Sequence, residues 1–202
     1  MNDKTTRECI VAAADRLFYQ RGFDHTSFSD IADTVQISRG NFYHHFKSKD
    51  EILEAVIDAR RAATLKMLER WDLEAEDPLD RIRSFFHILV TNGEKIKKHG
   101  CPVGTLCTEL AKLGHASQSE ANELFDLFRG WLRGQFMLLG RRADADELAL
   151  HVLARSQGVA VLANAIRDDD FVRREVRQLD GWLASCARHG KSVVRRVPNS
   201  RR

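Results

Sequence analysis

The chain has 202 residues, a formal net charge of +3, 3 prolines and 12 glycines, enough length for one sizeable helical core or for a small module joined to a larger one. No apolar run approaches the roughly 20 residues of a membrane span, and Met1 to Ile10 is polar without the apolar stretch of a secretion signal. The expectation is a soluble, cytoplasmic protein with no membrane partner. Cys9, Cys101, Cys107 and Cys186 are scattered without Cys-x-x-Cys pairs, which argues against a zinc site or a disulfide framework and for free thiols.

So small a net charge does not identify a nucleic-acid binder, but its distribution is informative. Residues 1–60 carry 8 Lys/Arg against 10 Asp/Glu, yet Gln36 to Lys49 holds Arg39, Lys47 and Lys49 and no acid. Arg188 to Arg202 has six basic residues and no acidic one, and reads as a disordered arm that touches phosphates or aids solubility.

Apolar residues recur at helical spacing along the chain with no persistent alternation, so the fold class is all-α. Ile10, Ala14, Leu17 and Phe18 share one face of a first helix, which Gly22 stops. Ser27 with Asp30 is a capping box for a short helix carrying Phe28, Ile31, Ala32 and Val35. Ser38 caps the next helix, with Phe42 and Phe46 one turn apart. Ser48 with Glu51 is a second capping box, opening a long amphipathic connector from Lys49 to Trp71. Asp77-Pro78 is an N-cap followed by proline at the first helical position, and starts a helix through Phe85, Phe86, Leu89 and Val90 that Gly93 and Gly100 weaken. Gly100-Cys101-Pro102 is a break before a helix from Val103 to Leu113, closed by Gly114. From Ser119 a helix is apolar on two sides. Leu148 to Ile166 carries small residues that permit close helix approach, and Phe171 to Ala187 makes the last helix.

Residues 27–46 meet the requirements of a helix-turn-helix: a bracing helix, a tight turn and a second helix whose first residues enter the major groove. With Phe42 and Phe46 turned inward, Ser38, Arg39, Asn41, Tyr43, His44 and Lys47 face outward. Arg reads guanine bidentately, Asn reads adenine, and Ser, Tyr and Lys hold phosphates. Gly40 costs about 1 kcal/mol relative to alanine in a helix, a loss that makes sense where the backbone must approach DNA. The competing interpretation is an ordinary three-helix subdomain with a polar face; His44-His45 as a metal site has less support.

Ile10, Ala14, Leu17-Phe18, Gly22-Phe23, Thr26-Ser27, Ile31-Ala32, Ile37-Ser38-Arg39-Gly40, Phe42-Tyr43, His45-Phe46 and Lys47-Ser48-Lys49 together resemble the N-terminal domain of the tetracycline-repressor (TetR) family. Ile37 stands where that family often has valine. The resemblance implies a protomer of about nine helices, two-fold dimers built from the last two long helices, and a ligand site in the C-terminal helices. It also implies phosphate contacts by Thr26 or Ser27, Tyr43 and Lys49. The expected organisation is a DNA-binding domain over 1–47, a ligand-binding and dimerisation domain over 48–188, and a basic tail over 189–202.

In the C-terminal half, Phe85, Phe86, Phe125, Phe128 and Trp131 are candidates for lining an apolar cavity, with core packing as the alternative. His87, His99, His115 and His151 lack metal-ligand spacing, and no cofactor or metal is implied. Cys101 follows Lys97, Lys98 and His99 and directly precedes a helix, so basic charge and the helix dipole both favour its thiolate. The break with Cys107 downstream also resembles a subgroup of the family that senses electrophiles or oxidants through a cysteine in this region. Cys107 is then a resolving partner, and a small buried hydrophobe at a turn is the alternative for Cys101. The expected function is a non-enzymatic, dimeric regulator, most simply a repressor, released from a palindromic operator by a small-molecule or electrophile signal. A constitutive or architectural DNA-binding protein without a ligand is the alternative. An enzyme finds little support, since no strand-borne nucleophile, phosphate loop or paired carboxylates appear.

Overall fold

A computed structural model describes the backbone of residues 3–194 and the side chains of residues 6–168 and 170–186. Among the described residues every element is helical: α1 (Asp3–Arg21), α2 (Phe28–Val35), α3 (Arg39–His45), α4 (Lys49–Glu74), α5 (Pro78–Thr91), α6 (Gly93–His99), α7 (Pro102–Leu113), α8 (Gln118–Leu138), α9 (Ala145–Ile166) and α10 (Asp169–Val194). Only Asn92 separates α5 from α6, so the described residues form nine helices if that pair is counted as one interrupted helix.

Local chemistry sets the boundaries. α1 stops where Gly22 takes φ +92°, a conformation that side chains with a Cβ resist. Ser27 and Asp30 close their capping box in both directions, Ser27 Oγ accepting from the Asp30 amide at 3.2 Å and the Asp30 carboxylate from the Ser27 amide at 2.8 Å. α2 ends on Gln36 at φ 58°, a left-handed cap made without glycine. The second box is offset. Ser48 Oγ accepts from the Glu51 amide at 3.1 Å, but the Glu51 carboxylate reaches back to the Lys47 amide at 2.7 Å. Asp77 caps α5 by accepting from the Leu79 amide at 2.9 Å.

The helices group into two compact units. The first comprises Met1–Leu65 with Pro102–Phe125, the second Lys66–Cys101 with Asp126–Arg202, so α4 and α8 each contribute to both. The first unit takes in α7 as well as the helix-turn-helix segment. Its core is Ile10, Ala14, Phe42, Phe46, Ile52, Leu53 and Leu110, all at most 2 % exposed. Truncating Phe42 to alanine there costs about 3–5 kcal/mol. In the second unit α10 packs on α5 and α9, and α6 packs on α9. Arg83 Nε donates to Asp180 at 2.9 Å between α5 and α10, and Asn164 donates to the Lys97 carbonyl at 2.9 Å between α9 and α6.

The structure departs from expectation at two helices. α9 is by length and composition apolar enough to cross a membrane. Its polar residues, among them Arg155 and Ser156, interrupt the run without making the helix polar. Inside the unit it serves as a core helix, burying Ala149, Val152, Ser156, Val159, Ala160 and Ala163. It nevertheless leaves Leu150, Val161, Leu162 and Ile166 between 42 % and 65 % exposed. α10 continues past the predicted end at Ala187 to Val194; the remainder of the expected basic tail, residues 195–202, lies outside the described residues.

Candidate nucleic-acid interface

The pattern of α3 separates two faces. Phe42 and Phe46 are 1 % and 2 % exposed, while Ser38, Arg39, Gly40, Asn41, Tyr43, His44 and Lys47 are all exposed. Ser38 caps the helix, its hydroxyl accepting from the Asn41 amide at 3.3 Å. Tyr43 is half exposed yet oriented, because its ring stacks on Phe28 at 5.6 Å and 21° while Phe28 meets Phe42 edge-on at 5.1 Å. Lys47 folds its ammonium back onto the Tyr43 carbonyl. A Cβ added at Gly40 would meet nothing within 4 Å, so no packing within the unit requires glycine there. The helix-propensity loss of about 1 kcal/mol is therefore not offset inside the chain, as expected where something outside must come close.

At the other end of the motif, the Thr26 side chain is buried at 1 % exposure and its hydroxyl donates to the Gly22 carbonyl at 2.7 Å. Ser27 is exposed. Of this pair only Ser27 presents its side chain outward. The Ser27 hydroxyl, its amide and the Arg21 guanidinium hold the Asp30 carboxyl below the usual carboxylate range. Lys49 is half-buried; its ammonium donates to the carbonyls of Phe23 at 3.0 Å and Asp24 at 3.4 Å and lies 4.2 Å from the Phe23 ring centroid. Two of its three donors are thus committed within the protein.

Two participants carried no signal in the sequence. The Glu109 carboxylate, on α7, accepts from the amides of Phe23 and Asp24, both at 2.9 Å, and His115 meets the Phe23 ring edge-on at 5.0 Å. Neither belongs to the helix-turn-helix segment or to any local pattern.

The C-terminal candidates are dispersed. Phe86 is fully buried; Phe128 packs on Phe85 at 5.3 Å, and Trp131 on Trp71 at 5.6 Å. The Trp131 indole donates to both oxygens of Asp72 at 3.1 and 3.2 Å, and Gln135 donates to Asp72 at 3.0 Å. Asp72 and Gln135 were not anticipated; Gln135, four residues after Trp131 between two apolar stripes, was the available sign. Cys101 is half-buried, as is Cys9, whereas Cys107 and Cys186 are buried. The Cys107 thiol donates to the Ala121 carbonyl at 3.3 Å, and burial pushes the Cys186 thiol pKa up. Lys97, expected to favour a Cys101 thiolate, pairs with Glu94 at 2.7 Å.

Residues 10–56 match the family model for bacterial regulatory proteins of the tetR family. An uncharacterised HTH-type transcriptional regulator encoded in the lacX 3' region of Lactococcus lactis subsp. lactis is 32 % identical over 171 residues, covering 83 % of this chain and 87 % of the relative. The HTH-type transcriptional repressor NemR of Escherichia coli (strain K12) is 29 % identical over 107 residues, 52 % of each chain. Among solved structures, a TetR-family regulator from Cytophaga hutchinsonii superposes with a TM-score of 0.79 at 16 % identity over 91 % of this chain and 95 % of that one. The reduced form of E. coli NemR does so at 0.73 and 21 % over 86 % and 94 %. At these identities the structural matches show the fold, while the Lactococcus relative extends the likeness along most of the sequence. The chain belongs to the TetR family of helix-turn-helix transcription regulators.

Proposed function

We propose that this chain is a homodimeric repressor that holds a palindromic operator and lets it go when a small molecule or electrophile reaches its C-terminal helices. The observation that carries the DNA-binding part is the row Ser38, Arg39, Asn41, Tyr43, His44 and Lys47, all exposed on α3 and its two ends around a glycine that its own fold does not need. Arg39 and Asn41 supply base readout, and Ser27, Tyr43 and Lys49 supply phosphate contacts. Regulators of this family bind operator DNA as dimers. The apolar side chains that α9 leaves exposed, Leu150, Val161, Leu162 and Ile166, are the surface on which a second copy pairs.

Release begins at Cys101. Two observations support this reading: its half-buried thiol contrasts with the buried Cys107 and Cys186, and it occupies the break between α6 and α7. The likeness to NemR, whose solved structure is of a reduced form, points the same way. Peroxide transfers one oxygen to the thiolate, giving a sulfenic acid and hydroxide, and a second thiol that displaces water from it gives a disulfide. A quinone instead adds directly to the sulfur. The test is alkylation of each cysteine combined with operator binding before and after mild peroxide or a quinone, in wild type and Cys101→Ser. Wild type should release its operator and the variant should retain it. Release that survives the serine substitution, or equal alkylation of Cys9 and Cys101, would return the signal to a non-covalent ligand among Phe86, Phe128 and Trp131.

A further inference from the structure

The turn between α1 and α2 is held by more polar contacts than a surface turn needs. Its residues Phe23 and Asp24 have both amides bound by the Glu109 carboxylate at 2.9 Å and both carbonyls bound by the Lys49 ammonium at 3.0 and 3.4 Å. Charged groups therefore engage all four backbone polar groups of two consecutive residues, from α7 on one side and α4 on the other. Such charge-assisted bonds are about twice as strong as neutral ones. The Phe23 ring, 4 % exposed, completes the anchorage between the Lys49 ammonium and the edge of His115.

The backbone just before the turn is shaped for this carboxylate. Gly22 has φ +92°, and a Cβ built on it would stand 2.8 Å from Glu109 Oε1, closer than real Cβ contacts come. The dihedral asks for glycine there, and an added Cβ would push the Glu109 carboxylate aside. Glu109 itself is on a secured helix. The first carbonyl of α7, that of Pro102, accepts from Arg60 Nη1 at 2.6 Å, and Arg60 Nε donates to Asp15 of α1 at 2.6 Å. All of these residues belong to the first unit. One residue after the clamped pair come Thr26, whose hydroxyl closes the turn onto Gly22, and Ser27, the cap of α2.

We infer that Glu109 is a positioning residue for operator binding: by holding the Phe23 and Asp24 amides it fixes the α1–α2 turn, and with it the entry of α2 and the register of Ser27 and α3 on the DNA. Glu109 touches no nucleic acid. Its effect is to remove, before binding, the conformational freedom that a loose turn would lose on the operator.

The test compares Glu109→Ala, Glu109→Gln and Gly22→Ala, singly and as the Gly22→Ala/Glu109→Ala double variant, in the full-length protein on a selected operator and on unrelated duplex. Amide exchange and thermal unfolding are followed alongside. Glu109→Ala should weaken the operator complex roughly tenfold, within the usual range of coupling between linked sites. It should leave unrelated duplex binding unchanged and accelerate exchange at Phe23 and Asp24 selectively. Glu109→Gln, which keeps one acceptor oxygen, should fall between, and it serves if the alanine variant folds poorly. The double variant should be less impaired than the two single losses combined, because Gly22→Ala already expels the carboxylate. Wild-type operator affinity in Glu109→Ala would overturn the inference. So would fully additive losses, or equal losses on operator and unrelated duplex accompanied by faster exchange throughout the core.

Discussion

α3 and α9 both leave side chains in solvent, and they do so in opposite ways. On α3 the exposed side chains carry polar or cationic groups, Phe42 is buried beneath them, and Ser38 closes the N-terminus. On α9 the outward residues include Leu150, Val161, Leu162 and Ile166, although the opposite side already fills a core with Val152, Val159 and Ala160. A polar row around an unrequired glycine suits a hydrated, anionic partner that is gained and lost as salt changes. An apolar strip on a helix already supplied with a core suits a second apolar surface, and a copy of the same chain provides one. On the proposed function, one helix exchanges its partner and the other keeps it.

If that contrast holds, placing a charge on each surface should have very different consequences. Val161→Glu puts a carboxylate on the apolar strip and should yield a monomer at micromolar concentration by sedimentation. Palindromic operator affinity should fall about 100-fold as the two half-sites lose their linkage. A Val161→Glu protein that remains a dimer would move the interface off α9.

Changes on α3 should be smaller and more informative about sequence. Arg39→Ala should cost about 1–3 kcal/mol at one base position and relax preference there, read by competition with single-base operator variants. Lys49→Ala should weaken every sequence through the lost ammonium, and the operator further because the α1–α2 turn loosens as well. With two ammonium donors already on the Phe23 and Asp24 carbonyls, one is left for the proposed phosphate contact. The slope of log affinity against log salt should therefore become shallower by about one. An unchanged slope would make Lys49 a holder of the turn alone.

The same contrast explains what the chain disclosed in advance. Helix starts were written locally, in Ser27-Asp30, Ser38, Asp77-Pro78 and the Gly100-Cys101-Pro102 break, because a cap needs only residues a few positions apart. The outward row of α3 followed from the spacing of Phe42 and Phe46. What stayed hidden depends on distant segments. Glu109 meets Phe23 across 86 positions, Trp131 meets Asp72 across 59, and nothing local marks Thr26 rather than Ser27 as the buried member of its pair. Helical periodicity likewise says that a face is apolar without saying whether its own chain or another covers it, and so α9 needed the structure.

The smallest expected effect lies in the Ser27–Asp30 box, where stability and DNA contact can be separated by pH. Hydrogen bonds from the Ser27 hydroxyl, followed by its amide, hold the Asp30 carboxyl below its ordinary value. A depressed folded-state pKa stabilises the fold above the unfolded value, about 3.9 for Asp. That contribution is lost as pH falls through the folded one. Ser27→Ala removes the first-named of these bonds and one reciprocal bond of the box, so without DNA it should lower Tm by about 3 °C near neutrality, a typical loss for an N-cap in a chain of this size. Below the folded-state pKa the carboxyl is protonated in both proteins, and the difference between them should shrink. A gap that stays constant from neutral to strongly acid pH would mean that Ser27 stabilises α2 without its acidic partner. A further loss of operator affinity, beyond what the unfolding shift explains, would then measure the phosphate contact proposed for Ser27.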